Sequence, residues 1–181
     1  MRAIGVIESS SIAKGFEVCD AMAKASLVDI LEASPICPGK YMIIVGGLVA
    51  DVKSAVEAGM EMAGECMIDH LVIPNIDDQV FAAINRTSEI GNVEAIGIIE
   101  TYSVASGISA ADIAVKAADV ELIEVRLSRG MGGKTFILMT GTVADVNSAV
   151  TSACEIVEQD GLLAAFSVIP APHEDIKKFL F

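Results

Sequence analysis

The sequence predicts an α/β protein, an α+β sandwich of two tandem ferredoxin-like domains, each ordered β-α-β-β-α-β. Three observations carry that expectation. An internal repeat runs the length of the chain, apolar runs of strand length alternate with helical spacings, and turn residues fall between them.

The repeat sets the domains. Ala3-Ile4-Gly5-Val6-Ile7-Glu8 returns as Ala95-Ile96-Gly97-Ile98-Ile99-Glu100. The match continues through Ser11/Ser103, Gly15/Gly107, Asp20/Asp112, Lys24/Lys116 and Glu32/Glu124. It resumes at Gly39-Lys40 and Gly133-Lys134, passes through Val49–Val52 and Val143–Val146, and closes with Val72-Ile73-Pro74 and Val168-Ile169-Pro170. The period is too long for a solenoid unit, so each copy is a small domain: 1–84 and 94–181, joined by a polar linker, 85–93.

Within a copy, Ala3–Ile7 is a short apolar strand. Ser10 or Ser11 caps a helix to about Ala25, with Phe16, Cys19 and Ala23 on its buried face. Val28–Ile36 reads as a strand, Pro38-Gly39 as a turn, and Tyr41–Val45 as the next strand. Asp51 caps a second helix on which Val52, Val56, Met60, Ala63 and Met67 recur at spacings of three and four, and Leu71–Ile73 ends the unit. Tyr41–Val45 and Phe136–Met139 are apolar at consecutive positions, the pattern of strands buried on both faces.

Composition bounds the function. There are 12 Lys+Arg against 25 Asp+Glu, a formal net charge of −13. A nucleic-acid partner is excluded, because phosphate binding needs clustered cations. Hydrophobic residues reach 53% and charged ones 20%, which excludes intrinsic disorder. The longest apolar stretches, Tyr41–Ala50 and Leu162–Pro172, fall short of the ~20 residues that span a membrane. The start, Met1-Arg2-Ala3, has no leader pattern, so a soluble, cytoplasmic protein is expected. So apolar a chain has too little polar surface to cover itself, and a large permanent interface resolves that.

The opening Ala-Ile-Gly-x-Ile-Glu, the segments Asp20–Ala25 and Asp112–Ala117, and the Val-Ile-Pro endings resemble the bacterial microcompartment (BMC) shell domain. Two in tandem resemble the trimeric tandem-domain shell proteins. The resemblance implies a homotrimer that forms a pseudo-hexameric tile of a protein shell, with other shell proteins as partners and no enzymatic activity. It implies that the loops 34–40 and 128–134 line a central pore, through Ser34, Pro35, Ile36, Pro38 and Gly39 and through Ser128, Arg129, Gly130 and Met131. Lys24 and Lys116 match the lysine at the tile edge. Asn75 and Ala171 stand where the family often carries an Arg after Val-Ile-Pro.

The first loop, Ser34-Pro35-Ile36-Cys37-Pro38-Gly39-Lys40, resembles the iron–sulfur shell proteins of propanediol-utilisation microcompartments. That likeness implies one Cys37 thiolate per chain on a 4Fe–4S cluster shared by three chains, relaying electrons across the shell to encapsulated redox enzymes. Spacing alone makes Cys37 a packed thiol, since no closely spaced Cys accompanies it. Cys19, Cys66 and Cys154 read as packing residues on helices, and Lys40 brings a cation to Cys37 if it points the same way. Two alternatives stand beside this reading. One is a metal-free gated pore for small metabolites, with Arg129 attracting anions. The other is a soluble ligand-binding or enzymatic protein on the same fold, which needs a pocket with convergent polar groups.

Overall fold

The computed structural model describes residues 3–180; Met1-Arg2, on which the leader argument partly rests, and Phe181 lie outside them. The first copy runs β1 (Ala3–Ser9), α1 (Ile12–Ala25), β2 (Asp29–Ile36), β3 (Lys40–Gly47), α2 (Val49–Ala63) and β4 (Met67–Ile73), followed by a short helix, α3 (Asp78–Ile84). The second runs β5 (Ala95–Thr101), α4 (Val104–Ala117), β6 (Val120–Leu127), β7 (Thr135–Gly141), α5 (Val143–Gln159) and β8 (Leu163–Ile169), and likewise ends in a short helix, α6 (Glu174–Lys177). The expected order is present twice.

Each copy forms one four-stranded antiparallel sheet, β2-β3-β1-β4 in the first and β6-β7-β5-β8 in the second. The registers agree in detail. Ile7 faces Ile43 and Ile99 faces Ile137. A bulge falls between Ile30 and Glu32 in β2 and between Leu122 and Glu124 in β6. Because register decides which face every side chain takes, equal registers mean that the repeat is three-dimensional.

Between α1, α2 and the first sheet lie Ile7, Val18, Met22, Ile43, Val45, Val52 and Val56, all buried. Each contributes about 1.5–3 kcal/mol of transfer free energy. The helix seats closely on the sheet where it carries glycine. A Cβ on Gly15 would stand 2.5 Å from Tyr41 Cβ, and one on Gly107 would stand 2.2 Å from Thr135 Cγ2. The repeated glycine is therefore a close-approach residue. Tyr41–Gly46 are all buried, as expected of a strand covered on both faces.

Several expectations are corrected. The core face of α1 is Gly15, Val18 and Met22; Phe16 and Ala23 are exposed and Cys19 half-buried. The cap of α1 is Ser11, whose hydroxyl accepts the Lys14 N–H at 3.2 Å. The helix α2 starts after Leu48, with no side-chain cap, and Asp51 sits in its first turn, where an acid favours the positive end of the helix dipole. In the second copy Thr142 caps α5 through the Asp145 N–H. Strands β2 and β3 shift by a residue or two from the expected bounds, and β4 begins at Met67. Cys66 lies in a single 3-10 turn, Gly64–Cys66.

The chain condenses into two units that do not follow the repeat boundary. The first takes the chain to Ile76 together with Ser103–Ala105 and Ser128–Gly133. The second takes Asp77–Tyr102, Ser106–Leu127 and the chain from Lys134 onward. In the second unit α3 lies against β6. The segment between α3 and β5 is not purely polar: Val93 is buried with Ile96, Ile123 and Leu138, and Ile90 and Leu180 pack on them.

Candidate functional site: the Cys37 loop

The loop after β2 and the segment Ser128–Gly133 belong to the same unit and are pinned to each other. The backbone N–H of Cys37 donates to the Ser128 carbonyl at 2.9 Å. Ser128 is buried at φ 48°, and its hydroxyl donates to the Gly133 carbonyl at 3.0 Å, closing its own loop. Gly133 holds a left-handed φ of 91°, and a Cβ there would stand 2.9 Å from Pro38 Cδ and 3.2 Å from the Cys37 carbonyl oxygen. Both its conformation and its neighbours call for glycine.

Arg129 makes the side-chain link. Its guanidinium is ion-paired with Glu32 and donates to the Ser34 hydroxyl at 3.0 Å, while Ser34 donates to Glu32 at 3.1 Å. The structure thus brings together Ser34, Cys37, Pro38, Ser128 and Arg129, drawn from two stretches of sequence about ninety residues apart. Ile36 is buried beside them; Pro35, Gly39 and Gly130 are exposed and Met131 half-buried. Cys37 itself is half-buried and free of any disulfide.

Lys40 is engaged by a carboxylate. Its ammonium lies 2.8 Å from a carboxylate oxygen of Glu8, which is fully buried. The other oxygen of Glu8 accepts the Val104 N–H at 2.8 Å, at the start of α4. Glu8 is thus a two-handed anchor. Beside it the Ser103 hydroxyl donates to Asp69. In the second unit Lys134 pairs with Glu100 at 2.7 Å, and that hydrogen bond pushes the Lys134 ammonium up from its ordinary value.

The lysines expected at an edge sit on helices, each paired one turn back. Lys24 meets Asp20 in the open, and Lys116 meets the buried Asp112. Asp112 also accepts the Asp77 N–H at 2.9 Å. Cys154 is buried on α5, and its thiol is pushed up to about 11 by burial and then by Glu158. Cys19 is raised by the same two causes, burial first and the Asp20 charge second. Both behave as packed thiols. Among the described residues no group of three or more His, Cys, Asp and Glu side chains is arranged to hold a metal ion. One cavity, of about 390 Å³, is lined by Arg86, Ser88, Ile123, Glu124 and Leu180. Its Arg86 and Glu124 are ion-paired at 3.2 Å.

Two antiparallel β-α-β-β-α-β sheets in tandem, with the loops after their second strands zipped together, define a shell-domain architecture. The BMC domain matches residues 3–76 and 95–172, so the chain belongs to the BMC family and is a structural shell protein of a bacterial microcompartment. It is 46% identical over 175 residues to the bacterial microcompartment shell protein PduT of Citrobacter freundii, covering 97% of this chain and 95% of that one. It is 31% identical to the carboxysome assembly protein CcmO of Synechococcus elongatus, over 96% of this chain and 67% of that one. A crystal structure of a microcompartments protein from Desulfitobacterium hafniense superimposes with a TM-score of 0.88, at 46% identity, over 98% of this chain and 99% of that one. The family is structural, not catalytic. No helix among the described residues is long and apolar enough to cross a membrane.

Proposed function

We propose that three copies of this chain close into a pseudo-hexameric tile, and that their three Cys37 thiolates hold one 4Fe–4S cluster at the threefold axis, relaying electrons across the shell. The observation that supports closure is the unequal burial of equivalent residues. Phe16 is 62% exposed and its counterpart Ile108 0%; Ile30 is 48% exposed and its counterpart Leu122 1%. One sequence position thus has opposite surroundings in the two copies. A ring of identical chains restores equality by burying the first copy's apolar positions as the second copy's already are.

Polar groups follow the same rule. Buried Glu8 caps the start of α4, whereas its counterpart Glu100 keeps a side chain 35% exposed. In the ring Glu100 reaches the start of α1 in a neighbouring copy. Such contacts are head-to-tail, and they close only at a fixed number of copies.

A single chain offers one loop thiol, which does not hold a cluster; three offer a thiolate donor set of the kind iron–sulfur clusters take. When bound, the cluster supplies one-electron transfer. The chain's part is to hold the thiol in place. The Cys37 N–H bond to Ser128, the Arg129–Glu32 pair and the tight seat of Gly133 on Pro38 fix the loop. Ser34, Pro35, Ile36, Pro38, Gly39, Ser128, Arg129, Gly130 and Met131 line the pore around it, while Lys24 and Lys116 meet adjoining tiles. Encapsulated redox enzymes and other shell proteins are the partners this role requires. The metal-free pore is the weaker reading, because the Arg129 charge that was to attract anions is spent on Glu32.

The test is anaerobic purification followed by iron and acid-labile sulfide analysis of wild type and Cys37→Ser. The expected result is a brown wild-type protein and a colourless, iron-free variant. A Cys37→Ser protein that keeps its iron, or an iron-free wild type, overturns the cluster assignment.

A further inference from the structure

We infer that α6 is an intersubunit clasp: it lies across the open edge of β2 in a second copy of this chain, with Asp175 accepting the backbone N–H of Ile30 of the partner subunit. The inference rests on the three-copy reading above and names the contact that closes it.

The internal repeat supplies the template. The helices α3 and α6 follow Val-Ile-Pro at the same distance, and each is capped by a side chain at the same position, Asp77 and His173. In the second unit α3 lies against β6, an edge strand of its sheet. Gln79 Oε1 there accepts the Leu122 N–H at 3.2 Å, and Val80 and Ala83 are completely buried. Since Leu122 N–H bonds a side chain from outside the sheet, it points away from β7. Edge strands carry such outward groups, and proteins cover them.

Strand β2 is the equivalent edge, and it carries the same outward group. Ile30 pairs with Val45 as Leu122 pairs with Met139, and each strand bulges immediately afterwards. The identical register turns the Ile30 N–H outward as well. Around it Leu27, Ile30 and Leu31 are exposed.

The matching occupant is α6. The counterparts of Gln79, Val80 and Ala83 are Asp175, Ile176 and Phe179. Ile176 is 46% exposed and Phe179 85%, although Val80 and Ala83 are at 0%. Two apolar anchors are therefore exposed beside an acceptor, Asp175, which takes the Lys178 ammonium on Oδ1 and has a second oxygen for a further donor, and on or beside β2 a donor and three apolar side chains are exposed. A second copy is the one partner in which this strand recurs with this register.

The test uses the full chain. Sedimentation and light scattering measure the mass of wild type and of the double variant Ile176→Asp/Phe179→Asp, both positions being exposed and so tolerant of charge in the isolated fold. Hydrogen exchange measures the Ile30 amide in wild type and in Asp175→Ala. The inference expects a wild-type mass three times 18.8 kDa. It expects the double variant to dissociate at a concentration about ten-fold higher or more, the effect of losing a buried anchor. It also expects Ile30 protection that falls in Asp175→Ala. A trimer that survives both substitutions with the Ile30 amide unchanged overturns the clasp and leaves the three-copy reading standing. A trimer that survives but no longer co-assembles with other shell proteins puts α6 at the tile edge and also overturns it. A monomeric wild type overturns both.

Discussion

The carboxylate of Glu8 holds the backbone N–H of Val104, 96 residues further on, at 2.8 Å. Its second oxygen holds the Lys40 ammonium at the same distance. An ionised carboxylate in a dry environment is tolerated only when charge and hydrogen bonds replace its water, and Glu8 has both. The same residue type at the same strand end in the second copy, Glu100, keeps a more open pair with Lys134. The repeat is chemical, but the two environments differ.

Lys40→Met should therefore be far more damaging than Lys134→Met. The first strands a buried charge, a loss of about 3–5 kcal/mol; the second removes a pair that water already screens. Chemical denaturation of the two variants side by side checks this, and equal midpoints would contradict it.

Gly15→Ala should destabilise, although alanine is the better helix former. The propensity gain is about 1 kcal/mol. The added methyl stands 2.5 Å from Tyr41 Cβ, a strand-bound atom that moves only with the backbone, and overpacking of that kind costs about 1–3 kcal/mol. Urea unfolding should give a midpoint below wild type; a midpoint above it would mean that α1 is free to lift from β3.

Gly133→Ala and Gly130→Ala separate strain from contact. Both residues have positive φ, but only Gly133 has neighbours in the way, Pro38 and the Cys37 carbonyl. The rate at which Cys37 reacts with a thiol reagent should rise in Gly133→Ala and stay near wild type in Gly130→Ala. Equal rates in the two variants would mean that the Gly133 seat does not fix the loop.

The buried thiol of Cys154 sets an alkaline limit. It loses its proton near its ordinary 9.0 in the unfolded chain and only at about 11 in the folded one. Between those values the folded state binds more protons, so stability falls as pH climbs from about 9 to 11. Cys154→Ala should flatten that slope, measured as melting temperature against pH, whatever it costs at neutral pH. A slope unchanged by the substitution would assign the alkaline limit to other groups.

The repeat, the element order and the burial of Tyr41–Val45 on both faces are legible because each is written in the apolar pattern; Phe136, expected to be covered in the same way, is half-buried. The buried face of α1 is not legible. Phe16 looks like a core residue, yet Gly15, Val18 and Met22 take the core, since the close seat on Tyr41 turns the helix. Asp51 looked like a cap, but the chain enters α2 three residues earlier, at Leu48. Each loop is legible by itself, but nothing in their spacing shows that Arg129 reaches Glu32 or that Cys37 bonds Ser128. One carboxylate at a strand end more often solvates or caps than catalyses, and nothing in the pattern shows that Glu8 is fully buried and caps α4. The different surroundings of equal positions, such as Phe16 and Ile108, are invisible in sequence by construction.

A single view tests the account most directly: cryo-electron microscopy of the anaerobically purified protein, seen down the axis of its oligomer. The account predicts three chains, their Cys37 sulfurs converging on one central density that iron analysis accounts for. Cys37 side chains far from the axis, or an assembly of any other number of chains, would contradict it.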